Sequence, residues 1–185
     1  MNAPPSSPVT PDALEAAIAT LQAAVGSARA GLPEPVFQLV SSLTPLINVD
    51  LLIHDEHGRC LLTWRHDAFY GPGWHIPGGI IRFKEAAAQR IAAVADLELG
   101  CCVTFTPLPI ALHEITNPNR DVRGHFISLL YSCRLASPPD PGRAFDPASP
   151  RAGDWAWHTG SPDNLIHQQH IYRPYIDNPL AGVWS

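Results

Sequence analysis

Apolar residues Leu14, Ile18, Leu21 and Val25 recur at helical spacing in PDALEAAIATLQAAVGSARA, so residues 11–30 read as an amphipathic helix. Thr10 suits the N-cap, Pro11 the first helical position and Gly31 the stop. That apolar face must pack on the domain or on another subunit. EPVFQLVSSL, residues 34–43, reads as a second short helix. The pattern then changes. LINVDLLIH, residues 46–54, reads as a buried strand with Asp50 in its middle, a position that is costly unless the carboxylate is paired. DEHG is a turn, and RCLLTWRH, residues 59–66, is the partner strand of a hairpin. GPGW, residues 71–74, is another turn, and HIPGGIIRF reads as a short strand, a tight Gly-Gly bend and an exit. KEAAAQRIAAVADLELG, residues 84–100, carries the clearest helical pattern, ended by Gly100.

Residues 101–112 and 125–135 read as two further strands joined by the polar link EITNPNRDVRG. A Pro-rich surface loop spans 136–154, and WAWHT is a last short strand. DNLIHQQHIYRPYI, residues 163–176, starts as a helix, with Asp163 near its N-cap and Pro174 near its end. Strands and helices mixed without regular alternation predict an α+β layered fold.

With 185 residues the chain has room for one domain and a tail. Residues 1–9 are Pro/Ser-rich and read as disordered. A formal net charge of −5 disfavours nucleic acid and anionic membranes as partners. A phosphorylated small substrate remains open, since it needs only a few local arginines. No apolar run reaches about 18 residues, and MNAPPSSPVTPD lacks the features of a secretory signal. Cys60, Cys101, Cys102 and Cys133 show no C-x-x-C spacing, so reduced, mostly buried thiols in a cytoplasmic protein are expected.

The segment GPGWHIPGGIIRFKEAAAQRIAAVADLELG resembles the Nudix box, G-x5-E-x7-R-E-U-x-E-E-x-G-U, with U aliphatic. Gly79, Glu85, Glu98 and Gly100 fall at the pattern's spacings. The resemblance covers about residues 45–176, leaving residues 1–31 as a tail and an extra N-terminal helix ahead of a domain at 32–185. It implies a Nudix α/β/α sandwich with a mixed sheet. Ala93, Val94 and Leu97 stand where the pattern has an arginine and two glutamates. On a regular helix the corresponding face is Val94, Leu97 and Glu98, which can hold one magnesium ion but not a cluster.

That reduced box is similar to the GDP-mannose mannosyl hydrolase branch, in which water attacks carbon 1 of the sugar. The resemblance implies Mg2+ held by Glu98 and by backbone near Gly78 and Gly79, with Asp50 orienting sugar or nucleotide. It places Arg65 on the diphosphate and makes His167 the general base, with His170 as a competitor. Arg82 and Arg90 could stand in for arginines that the branch keeps elsewhere, and His113 and Glu114 could line the sugar pocket. Glu85 reads as structural, bracing the Gly-Gly loop or the helix start. The implied activity is hydrolysis of a nucleotide sugar to nucleoside diphosphate and free sugar, by a homodimer. Two alternatives stay open. One is a pyrophosphohydrolase cleaving at phosphorus, which needs a further carboxylate from Glu114 or Asp121. The other is an inactive module that binds a nucleotide sugar.

Overall fold

The computed structural model describes residues 10–67 and 70–179; the tail expected at residues 1–9 lies outside them. The helices are α1 (Pro11–Val25), α2 (Glu34–Leu43), α3 (Ala87–Val94) and α4 (Arg173–Asp177). The strands are β1 (Leu46–Ile53), β2 (Cys60–Arg65), β3 (Gly73–His75), β4 (Gly78–Ile80), β5 (Val103–Phe105), β6 (Ala111–Thr116), β7 (His125–Leu135) and β8 (Trp155–His158). The result is the expected α+β architecture.

A mixed five-stranded sheet runs β4-β1-β7-β5, with β6 also on β7; β1 and β7 are parallel and the other pairs antiparallel. A second, antiparallel sheet runs β3-β2-β8. Strand β1 is covered on both faces, which is why it reads as a continuous apolar run. Val49, Leu51 and Ile53 pack with Ile91, Val94 and Leu99 from the α3 side. Leu52 packs on the other side with Trp74, Leu130, Tyr172 and Ile176. The chain from Leu165 to Ile176 is thereby fastened to the sheet face opposite α3.

Several expectations are corrected. Thr10 caps α1 by accepting from Ala13 N, but the helix stops at Gly26, whose φ of 58° opens the way to a short 3-10 turn at Ala28–Ala30. β1 and β2 do not form a hairpin ladder: the turn joins them through a single bridge, His54 to Cys60, and each enters a different sheet. The Gly-Gly pair is strand β4, paired with β1, rather than a bend. The pattern at 84–100 becomes α3 followed by a π-helical turn at Ala95–Leu99, closed by Gly100 at φ 63°. Residues 101–112 divide between β5 and β6, and β6 runs on to Thr116. Residues 163–176 form a 3-10 helix, His167–Tyr172, and Pro174 begins α4 rather than ending a helix.

All four cysteines are free thiols, three of them buried and Cys102 exposed. Among the described residues no helix is long and apolar enough to cross a membrane.

Candidate active site

A cleft of about 400 Å³ opens against β2, β3 and β4. Thr63 and Arg65 reach it from β2, His75 from β3 and Gly78 and Gly79 from β4. Glu98 comes from the π turn, Arg123 from the β6–β7 loop, and Gln168, Gln169 and Tyr172 from the 3-10 helix. The π turn sets the direction of Glu98. One extra residue in the turn rotates the side chains relative to a regular helix. Leu97 is therefore 64% exposed while Val94 is buried, so the expected face of Val94, Leu97 and Glu98 does not exist. Glu98 instead turns toward β4, and its Oε1 accepts from the Gly78 N–H at 3.4 Å. Burial pushes its carboxyl up to about 7, with the charge of Asp50 adding to the rise. The Gly78 N–H, Arg65 and the Thr63 hydroxyl pull the other way.

Glycine is needed at both β4 positions for close approach. A Cβ on Gly78 would sit 2.3 Å from Asp50 Oδ1, and one on Gly79 would sit 2.8 Å from Val94 Cγ2. Asp50 stands behind this strand rather than on the cleft wall. It is 3% exposed, and its Oδ2 accepts from Ser128 Oγ at 2.6 Å and from the Tyr172 hydroxyl at 2.9 Å. Burial raises its carboxyl to about 6 against those two hydrogen bonds. The pairing that a carboxylate in an apolar strand requires thus comes from β7 and the 3-10 helix.

The arginines divide into two sets. Arg65 lines the cleft, pairs with Asp67, and places its guanidinium 4.6 Å from the Tyr70 ring centroid. Arg90 is buried, and its Nε and Nη2 each donate to the Glu85 carboxylate at 2.9 Å. Glu85 also accepts from the Arg82 N–H at 2.8 Å, and its carboxyl is held low by these donors despite its partial burial. Glu85 therefore braces the helix start, and Arg90 is the cation that closes the brace. Arg82 is exposed and directs Nη1 to the Arg29 carbonyl at 3.4 Å, away from the cleft lining. Arg123, which the sequence reading did not single out, occupies the cleft instead.

His167 is exposed and lines two hollows that adjoin the cleft; its ring meets His170 edge-on at 5.0 Å. The first of these hollows shares Asp67, Tyr70, Ile166 and Gln168 with the cleft, so His167 stands at the rim. His170 donates to the Leu165 carbonyl at 3.1 Å. His113 packs edge-on against Tyr172 and Tyr175, and burial lowers its imidazole. Glu114 is exposed and meets His125 Nε2 at 2.9 Å. Neither His113 nor Glu114 lines the Glu98 cleft, and Asp121 borders a different hollow near Ser41–Pro45.

Among the described residues no group of three or more His, Cys, Asp or Glu side chains converges on one metal position. The donor set suits a single hard cation instead. Glu98 would supply one carboxylate, and the side-chain-free β4 backbone would allow close approach. Magnesium is commonly held in this way, by one or two carboxylates with substrate phosphates and water completing the shell.

Sequence reasoning missed Thr63, His75, Tyr70, Arg123, Ser128 and Tyr172. Thr63 had a usable signal, since it lies two residues from Arg65 on one strand and therefore shares its face. The others come together through long-range pairing, as when β1 lies parallel to β7 with Asn48 opposite Ser128.

No family model matches the chain. Over 74 residues it is 34% identical to the low-salt glycan biosynthesis protein Agl8 of Haloferax volcanii, a match covering 40% of this chain and 47% of that protein. The match thus spans about half the length of that curated relative. The structure is similar to the crystal structure of a MutT Nudix hydrolase from Burkholderia pseudomallei. There the TM-score is 0.55 at 19% identity, covering 71% of this chain and 97% of that one. It is also similar to the MutT protein of Methanosarcina mazei, with a TM-score of 0.54 at 17% identity, covering 72% and 94%. Together with the mixed sheet and the strand-and-helix setting of Glu98, these likenesses establish that the chain has the Nudix hydrolase fold.

Proposed function

We propose that the protein is a Mg2+-dependent hydrolase of a nucleoside diphosphate sugar of the GDP-mannose or GDP-glucose type. It cleaves the C–O bond to release nucleoside diphosphate and free sugar. The observation that carries this reading is that the cleft is lined by two carboxylates, Glu98 and Asp67, of which Asp67 is paired with Arg65, and that no group of three or more His, Cys, Asp or Glu converges among the described residues. Attack on phosphorus by the cluster chemistry of a full Nudix box needs further carboxylates, and Glu114 and Asp121 both lie away from the cleft. Attack on carbon needs only that the departing diphosphate be stabilised. The likeness to a protein named for glycan biosynthesis supports a sugar-bearing substrate.

In this reading Glu98 would hold magnesium, whose charge would offset that of the leaving diphosphate. Arg65 and Arg123 bind the diphosphate oxygens. Asp50 acts from behind β4, holding Tyr172 and so the 3-10 helix against the cleft. His167, at the rim, takes a proton from the attacking water, a task that suits an imidazole near neutral pH. The protein acts in the cytoplasm as a homodimer. Its second copy covers the apolar groove of about 640 Å³ between α1 and α2, where Ile18, Leu21, Leu39, Leu43 and Phe83 stand open.

Proton NMR of the protein with Mg2+ and GDP-mannose, repeated with GDP-glucose and ADP-ribose, tests the reaction. Free sugar of inverted anomeric configuration is the expected product. Sugar phosphate with nucleoside monophosphate would overturn the reading in favour of phosphorus chemistry. Ligand binding without turnover would leave a nucleotide-sugar-binding module.

A further inference from the structure

Resting on the reading of Glu98 as the residue that would hold the cation, we infer that the turn at residues 140–143 of the Pro-rich loop aims that carboxylate, with Arg143 as a positioning residue. The need arises in the π turn itself. A helix end leaves its last carbonyls without intrahelical donors, and Ala95–Leu99 is such an end. Beyond it, the Gly100 N–H donates back to Asp96, the Cys101 N–H to Ala95 and the Cys102 N–H to Ser137 Oγ. None of these serves the carbonyl of Leu97 or Leu99.

The loop supplies both donors. Arg143 Nη1 donates to the Leu97 carbonyl at 2.5 Å, and the Asp140 N–H donates to the Leu99 carbonyl at 2.8 Å. Leu97 and Leu99 flank Glu98, so the backbone that carries its side chain is held on both sides. Gly78 and Thr63 meet the carboxylate from the sheets, whereas the loop fixes the backbone behind it. The turn is itself fastened. Asp140 Oδ1 accepts from the Gly142 N–H at 2.8 Å, and its Oδ2 pairs with Arg143 Nε at 3.5 Å. The Asp140 carbonyl accepts from Trp155 Nε1 at 2.8 Å, and Trp155 lies opposite Thr63 in the β2–β8 pair. The π turn is thereby tied to the strand that forms the other wall of the cleft. Gly100 allows the approach, since a Cβ there would sit 2.9 Å from Asp140 Cβ. Outer partners of this kind set metal affinity by orienting the ligand they hold.

Mn2+ binding, followed by electron paramagnetic resonance on the full-length protein without nucleotide, tests this. Arg143→Ala takes the donor from the Leu97 carbonyl and should weaken Mn2+ by about tenfold. Arg143→Lys keeps a cation that can donate there and should bind within about threefold of the unmodified protein. Asp140→Ala keeps the backbone N–H, whereas Asp140→Pro removes it at a φ of −57° that proline adopts. Asp140→Pro should therefore bind Mn2+ about tenfold more weakly than Asp140→Ala. The Arg143 side chain is 41% exposed, so Arg143→Ala should shift the melting temperature by no more than about 3 °C. If Arg143→Ala does not fold, the Asp140 pair carries the test. Unchanged Mn2+ affinity in these variants, alongside lost affinity in Glu98→Gln, would overturn the inference and leave the site reading intact. A loss that Arg143→Lys does not relieve, matched by a large fall in melting temperature, would make the turn a stability element only and overturn it as well. Unchanged affinity in Glu98→Gln would overturn both.

Discussion

Glu85 and Glu98 flank one helical segment and have opposite environments. Glu85, just before α3, is met by two donors of Arg90 and by the Arg82 N–H, and its carboxyl is held low. Glu98, in the π turn beyond α3, receives a long hydrogen bond from the Gly78 N–H and one from the Thr63 hydroxyl but no ion-pair partner within 4 Å among the described residues, and burial raises it. A carboxylate that is satisfied within the protein is fastened structure. One that is half-buried and lacks an ion-pair partner in a cleft can still respond to a ligand. The same residue type, at two box positions, is thus held by donors at one end and, in the proposed reading, kept for a cation at the other.

The contrast can be broken most sharply at Glu98. Glu98→Gln should lower kcat by roughly 10³ while leaving the thermal melting temperature equal or higher; removal of one transition-state-stabilising group commonly costs 10²–10³. Loss of folding with full specific activity in the soluble fraction would reverse the assignment. Arg90→Ala should do the opposite. It strands Glu85 beside a vacated, buried ion-pair site, which costs about 3 kcal/mol in urea unfolding, with little change in KM for the folded enzyme.

Asp50 extends the comparison to pH. Its folded carboxyl is raised from the ordinary 3.8 to about 6, so the folded state holds the proton more tightly than the unfolded one. This contribution to stability is present below pH 4 and is lost as pH rises to 6, amounting to about 2–3 kcal/mol across that window. Asp50→Asn should flatten that part of the unfolding profile; an unchanged profile would place the titration elsewhere. Arg65→Ala and Arg82→Ala sharpen the division among the arginines. The first should raise KM for the nucleotide sugar about tenfold, and the second should leave it within about twofold, because of these two only Arg65 lines the cleft. The smallest effect on catalysis should come from deleting residues 1–31. Turnover should persist while sedimentation shows weaker dimerisation, and unchanged sedimentation would count against α1 in the interface.

Much of the fold was legible in local patterns. Thr10 and Pro11 opened α1, Gly100 ended the segment after α3, and both-face burial made β1 a solid apolar run. What failed locally had specific physical causes. DEHG looked like a hairpin turn because turn chemistry is local, whereas the sheet each strand joins is decided by partners far along the chain. Gly78 and Gly79 looked like a bend because glycine serves turns and close approaches alike, and only Asp50 and Val94 behind them show which applies. The π turn left no periodic signal, so Leu97 was placed on the wrong face.

The candidate site was legible where a spacing carried it: Glu98, Glu85 and the glycine pair. It was not legible where tertiary contact decided the outcome. Arg90 and Arg65 are both arginines near the box, and only the fold sends one to Glu85 and the other to the cleft. His167 was chosen from its neighbours in sequence, and the 3-10 helix puts Gln168 and Gln169 on the cleft wall and His167 at the rim. Arg123 sits at φ 52° in the β6–β7 loop, a conformation that nothing in VRGH advertises.

The central claim is that a site built on one metal-facing carboxylate breaks the bond to carbon rather than to phosphorus. Turnover of GDP-mannose in 18O-labelled water, with products weighed by mass spectrometry, tests it most directly. The account predicts the label in the free sugar and none in the nucleoside diphosphate. Label in a phosphate oxygen of the nucleotide or of a sugar phosphate would contradict it.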